Sequence, residues 1–112
     1  MQYLLIICHD DAFAPNEVLF EEIGTWIAEM EQCGIRLYGN PLRPADSAKT
    51  VRVRKGKVRV TNGAFADTEE KMCAYDLIEC ADMDEAVEAA SKHPMAKVAT
   101  IEVRPVWANI HN

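Results

Sequence analysis

YLLIIC, Tyr3 to Cys8, is apolar at each of its six positions. That is the length of a strand, and a strand that is apolar on both faces has to be covered on both. The run is too short to span a membrane, and no basic region precedes it, so it reads as a first strand and not as a signal peptide or membrane helix. Whatever covers its two faces decides the fold. The first candidate follows at once in APNEVLFEEIGTWIAEMEQCG, Ala14 to Gly34. There Leu19, Ile23, Trp26, Ile27, Met30 and Cys33 recur at helical spacing, with Asn16 placed as an N-cap and Gly34 as a C-terminal stop. This apolar stripe is core-facing rather than a binding groove.

Further along, IRLYGNPLRP (Ile35–Pro44) begins as a short strand and passes into a loop punctuated by Gly and Pro. TVRVRKGKVRVT (Thr50–Thr61) is a hairpin pattern. With Lys55-Gly56 as a two-residue turn, Val53 faces Val58 and Val51 faces Val60, while Arg52, Arg54, Lys57 and Arg59 share the other side. That basic side is either an anion-binding face or a solvated hairpin surface. RVTNGAFADTEEKM (Arg59–Met72) leads into AYDLIEC, another strand. DMDEAVEAASKHP is a second helix, with Asp82 and Glu85 spaced as a capping box and Pro94 ending it. His93 reads as a helix end and His111 as tail. VATIEVRPV closes the pattern, with Ile101 and Val103 on one face and Thr100, Glu102 and Arg104 on the other. The order β-α-β-β-β-β-α-β, with two helices able to cover only one face of the sheet, predicts a ferredoxin-like α+β sandwich. The uncovered face then predicts a homodimer.

The 112 residues suit one domain spanning 1–112. A net charge of −6 argues against nucleic acid or anionic membranes as partners, since phosphate binding is driven by Lys and Arg. A small molecule or a protein is the expected partner. Cys8, Cys33, Cys73 and Cys80 form no C-x-x-C pair and match no His spacing, which speaks against a structural zinc site; no metal and no cofactor is expected. They read as buried thiols in a reducing compartment, the cytoplasm, with an oxidised framework as the alternative.

The segments GNPLRP, TVRV, VTNGAFADTEE, AYDLIE, DMDEA and IEVRPV resemble, in order and spacing, the YCII-related family, specifically its DGPF-domain branch. The likeness runs from Tyr3 to Val106. The branch is named for an Asp-Gly-Pro-Phe loop followed by Ala-Glu-Thr-Lys-Glu. This chain carries Asn62-Gly63-Ala64-Phe65, then Ala66-Asp67-Thr68-Glu69-Glu70. The resemblance implies a ferredoxin-like subunit that pairs through its open sheet face into an α/β barrel. It also implies kinship with small enzymes and ligand binders, and a link to alternative sigma factors. The wider family is associated with a His/Asp pair whose His lies on the first helix. No His occurs between Asn16 and Gly34, so none is carried over.

Asn and Asp both tolerate left-handed backbone and accept the same local hydrogen bond, so Asn62-Gly63 preserves a turn. An amide cannot act as a base at neutral pH, so position 62 offers ligand contact only. Phe65 either anchors its loop in the core or caps an apolar pocket, and Asp67 is the carboxylate left to face that pocket. His9, beside Asp10 and Asp11 at the end of the first strand, reads as part of a solvated turn or, as the histidine best placed for it, as a proton-transfer group. Glu102 and Arg104 form a pair able to orient a polar ligand or stitch a dimer; buried charges must be paired either way. The expected catalytic residues are thus His9 and Asp67, and the expected ligand-binding residues Asn62, Phe65, Glu102 and Arg104. No P-loop, G-x-G-x-x-G, G-x-S-x-G or H-E-x-x-H occurs. Three functions fit: a small lyase or isomerase using acid/base chemistry on a polar or anionic molecule in a cleft at the dimer face, a non-enzymatic ligand-binding or regulatory dimer, and a structural interaction module.

Overall fold

A computed structural model describes residues 1–108. β1 (Gln2–His9) is followed by α1 (Glu17–Gln32), β2 (Arg36–Pro41), β3 (Lys49–Arg54), β4 (Lys57–Asn62), β5 (Lys71–Glu79), α2 (Met83–Ser91) and β6 (Thr100–Pro105). Two 3-10 turns lie at Ala45–Ser47 and Pro94–Lys97. The main sheet is antiparallel in the order β2-β5-β1-β6, which is the ferredoxin-like arrangement.

The helix starts are set locally. The Asn16 side chain accepts from the Leu19 N–H at 2.9 Å, and Asp82 accepts from the Glu85 N–H at 2.9 Å. Gly34 ends α1 at φ +78°, the left-handed position where glycine carries no side-chain penalty. Both helices then cover one face of the sheet. Tyr3, Leu5 and Ile78 from the strands pack with Trp26 and Met30 of α1 and with Ala86, Ala89 and Ala90 of α2. Trp26 donates its indole N–H to the Ala89 carbonyl at 3.0 Å, tying one helix to the other. The opposite face carries half-buried Leu4, Ile6 and Leu77 beside Glu102 and Arg104, with no helix over it among the described residues.

One expectation needs correction. Of the four cysteines only Cys80 is buried; Cys8 and Cys73 are half-buried and Cys33 is exposed, because it sits at the α1 C-cap beyond the last packed turn. The hairpin has the expected register, with Val51 opposite Val60, Val53 opposite Val58, and Lys55 and Gly56 both at positive φ. It is a sheet of its own, however, joined to neither edge of the main sheet, and its valine side faces solvent as its basic side does.

Candidate functional site

Strand β5 alternates, so Ala74, Asp76 and Ile78 point toward the helices. An aspartate there lies under the helix layer, and Asp76 is indeed buried. A buried carboxylate requires a partner. Arg36, on neighbouring β2, donates Nε–H to Asp76 Oδ1 at 2.8 Å, and its Nη1 reaches Glu31 at 2.6 Å. Gly39, paired with Asp76 across β2 and β5, leaves space for this contact. A Cβ at Gly39 would collide with Asp76 Oδ1 and the Tyr75 carbonyl and lie 2.9 Å from the Arg36 guanidinium.

His93 approaches the other carboxylate oxygen. Its Nε2 is 3.9 Å from Asp76 Oδ2, beyond hydrogen-bond length, and the two are close enough for one ligand atom or water beside them to contact both. The ring is fixed from behind. Nδ1 accepts the Met95 N–H at 3.0 Å where the chain turns through Pro94, and the Trp26 ring stands edge-on at 4.5 Å. Because Nδ1 is an acceptor, the single proton of the neutral ring is on Nε2, aimed toward Asp76. Burial, aided by the nearby Arg36 charge, lowers the His93 pKa to about 4, so the imidazole is neutral at pH 7. Burial raises the Asp76 carboxyl, while the Arg36 hydrogen bond and charge pull it back down.

These groups form one wall of a cavity of about 390 Å³ between α1 and the β2–β5 side of the sheet. Its other walls are mostly apolar, including Ile7, Phe13, Leu19, Phe20, Ile23 and Met95. An apolar chamber with a few convergent polar groups is the usual form of a small-molecule site. Among the described residues, no three His, Cys, Asp or Glu side chains converge on a point able to hold a metal ion.

Of the residues expected from the sequence, His9 lines this cavity, with its ring stacked on Phe13 at 4.6 Å. Asn62, Phe65 and Asp67 do not. Asn62 ends β4 and accepts from Lys49 Nζ at 2.5 Å, Phe65 is 76% exposed, and Asp67 lies exposed in the following loop. Glu102 and Arg104 do pair, 3.5 Å apart, on the open face of β6 and far more exposed than the Arg36–Asp76 pair. His111 lies outside the described residues. The sequence reading passed over Asp76, Arg36 and His93. A charged residue within AYDLIE was the available signal, but its face could not be assigned before the core was known.

A family model described as the YCII-related domain matches residues 1–109. An uncharacterised protein of Rhizobium meliloti is 39% identical over 67 residues, 58% of this chain, and the match spans only 54% of that relative's length. Among solved structures, 5-chloro-2-hydroxyhydroquinone dehydrochlorinase from Burkholderia phenoliruptrix, in complex with 2,5-dihydroxybenzoquinone, superposes over 100% of this chain and 99% of its own. The TM-score is 0.54 and the identity 16%, a likeness of fold.

Proposed function

Since the chain belongs to the YCII-related domain family, and one protein of the same fold binds a small quinone, we propose that its helix-side cavity binds a small, largely apolar molecule bearing a carbonyl or hydroxyl edge, and moves a proton on it. The observation that carries this reading is the buried pair of Asp76 Oδ2 and His93 Nε2, 3.9 Å apart on the cavity wall.

The roles follow from the hydrogen bonds. His93 cannot serve as the base while Nδ1 is occupied by Met95 and Nε2 carries the proton. It donates from Nε2 to a ligand oxygen, as a neutral electrophile whose lowered pKa keeps it uncharged. Asp76 is the base. Arg36 holds its Oδ1, which leaves Oδ2 to accept a proton from a carbon or hydroxyl next to the polarised oxygen. A carboxyl raised by burial is a stronger base than an exposed one. His9 and Phe13 form an aromatic part of the wall against which a flat molecule can stack. This is lyase or isomerase chemistry without a cofactor, and a regulatory binder would share the cavity without the proton step.

The test uses 2,5-dihydroxybenzoquinone as the probe, followed by NMR on parent, His93→Gln and Ile23→Trp. The expected result is a perturbation centred on the His93 ring and Ile7, weakened by His93→Gln and abolished when Trp fills the cavity. Perturbations confined to Leu4, Tyr38 and Arg104 on the open sheet face would move the site elsewhere. The open face itself we assign to dimer contact, supported by half-buried Leu4 and Ile6 and by the Tyr75 hydroxyl donating to Tyr38 at 3.1 Å there. Sedimentation showing a monomer at micromolar concentration would refute that assignment. No described helix is long and apolar enough to cross a membrane. A reducing compartment such as the cytoplasm suits the four unpaired thiols.

A further inference from the structure

We propose that the β3–β4 hairpin is an arm that seats on a second copy of this chain. Six-residue strands at about 3.3 Å per residue give it a reach of roughly 20 Å. Among the described residues it pairs only with itself, and of its strand residues only Thr50 is not exposed. The whole chain is correspondingly extended. Its radius of gyration is 16.0 Å, against about 13 Å for a compact chain of this length. A free two-stranded hairpin is marginally stable in water, and this one leaves a contiguous patch of Val51, Val53, Val58 and Val60 at 56–68% exposure. Apolar surface gathered on one side of a protruding ribbon is a contact surface lacking its partner.

Charge identifies the partner. Lys49 to Asn62 holds six of the twelve Lys and Arg and none of the eighteen Asp and Glu, so the remaining 98 residues carry a formal charge of −12. The arm and body attract strongly, yet the arm projects from its own body, so the acidic surface it meets belongs to another copy. The body has a surface of matching chemistry. Helix α1 has no Lys or Arg; Glu22 and Glu31 pair with Lys97 and Arg36, but Glu17, Glu21 and Glu29 make no ion pair among the described residues, and next to them Val18 and Phe20 are 63% and 60% exposed. Nucleic acid would meet the cations but not the valines, and the acidic body would repel it.

The contact differs from pairing of the open sheet faces, and the experiment separates the two. Unlabelled and heavy-nitrogen-labelled protein are mixed, equilibrated and treated with a carbodiimide that joins lysine to carboxylate. The arm has lysines and no carboxylates, so every product from Lys49, Lys55 or Lys57 ends on the body, and light–heavy hybrids come only from two copies. Hybrids from these lysines are expected, and raising salt from about 0.05 to about 0.5 M should suppress them. Sedimentation of Val53→Asn/Val58→Asn should show a dimer dissociation constant raised roughly tenfold or more, with the melting temperature of dilute protein unchanged because neither valine touches the core. Products confined to single chains, or the same dissociation constant for parent and variant, would overturn the proposal even if a sheet-face dimer persists. So would hybrids lost in favour of a bound oligonucleotide, which would give the arm to nucleic acid.

Discussion

Asp76→Asn removes one charge from a pair whose side chains are 7% and 10% exposed and leaves Arg36 under the helix layer. Breaking a buried ion pair by removing one partner costs about 3–5 kcal/mol, chiefly from the charge left behind. Two features lower that figure here. Asn retains an oxygen that can accept the Arg36 Nε–H, and Arg36 still reaches Glu31 at 2.6 Å, where water screens the contact. About 2–3 kcal/mol is therefore expected, which in a chain of this size lowers the melting temperature by roughly 8–12 °C. Adding Arg36→Met removes the stranded charge, so the double variant should regain at least half of the loss. Thermal and urea unfolding of parent, both singles and the double at pH 7 make the measurement. If Asp76→Asn melts within about 2 °C of the parent, the carboxyl is not ionised in the fold. If the double loses the sum of the singles, the two residues do not act as a pair. Either result would sink the account of the cavity's polar wall.

Three further outcomes follow from the same geometry. The folded state holds His93 near pKa 4 against an ordinary 6.5, so the unfolded chain takes up this proton first. Stability should therefore fall as pH drops from about 6.5 to about 4, by about 3 kcal/mol from this group alone. The raised Asp76 carboxyl works in the opposite direction, so the measurement is the difference between parent and His93→Gln; equal slopes would refute it. Gly39→Ala should destabilise by about 2–3 kcal/mol, because the Tyr75 carbonyl in its way is backbone and cannot rotate aside. Gly24→Ala, with open space at its Cβ inside α1, should be neutral or stabilising, and the reverse order in melting experiments would contradict the packing described. Gly63→Val should cost about 1–2 kcal/mol in unfolding experiments, since φ is +88° there, whereas Asn62→Asp keeps an oxygen for Lys49 and should melt with the parent.

The elements could be read from the chain because their causes are local. Asn16 and Asp82 cap helices with donors three residues away, Gly34 stops α1, and Lys55-Gly56 turns a hairpin whose register follows from the turn. The apolar run of β1 also signalled that both of its faces need cover, and two helices can supply only one, so an open sheet face was legible too; the ordered segments shared with a known family agreed. The candidate site was not readable in this way. Arg36, Asp76 and His93 lie on β2, on β5 and at the end of α2, so only the strand order β2-β5-β1-β6 brings them together. An aspartate between Tyr75 and Leu77 has the same letter whether it faces water or the core. Its burial depends on which strand parity the helices cover, and the His93 tautomer on a hydrogen bond to Met95 that exists only after Pro94 turns the chain. The hairpin shows the converse. Its strands and turn follow from sequence, but whether its valines pack on the main sheet or stand in water depends on a docking that no local preference specifies.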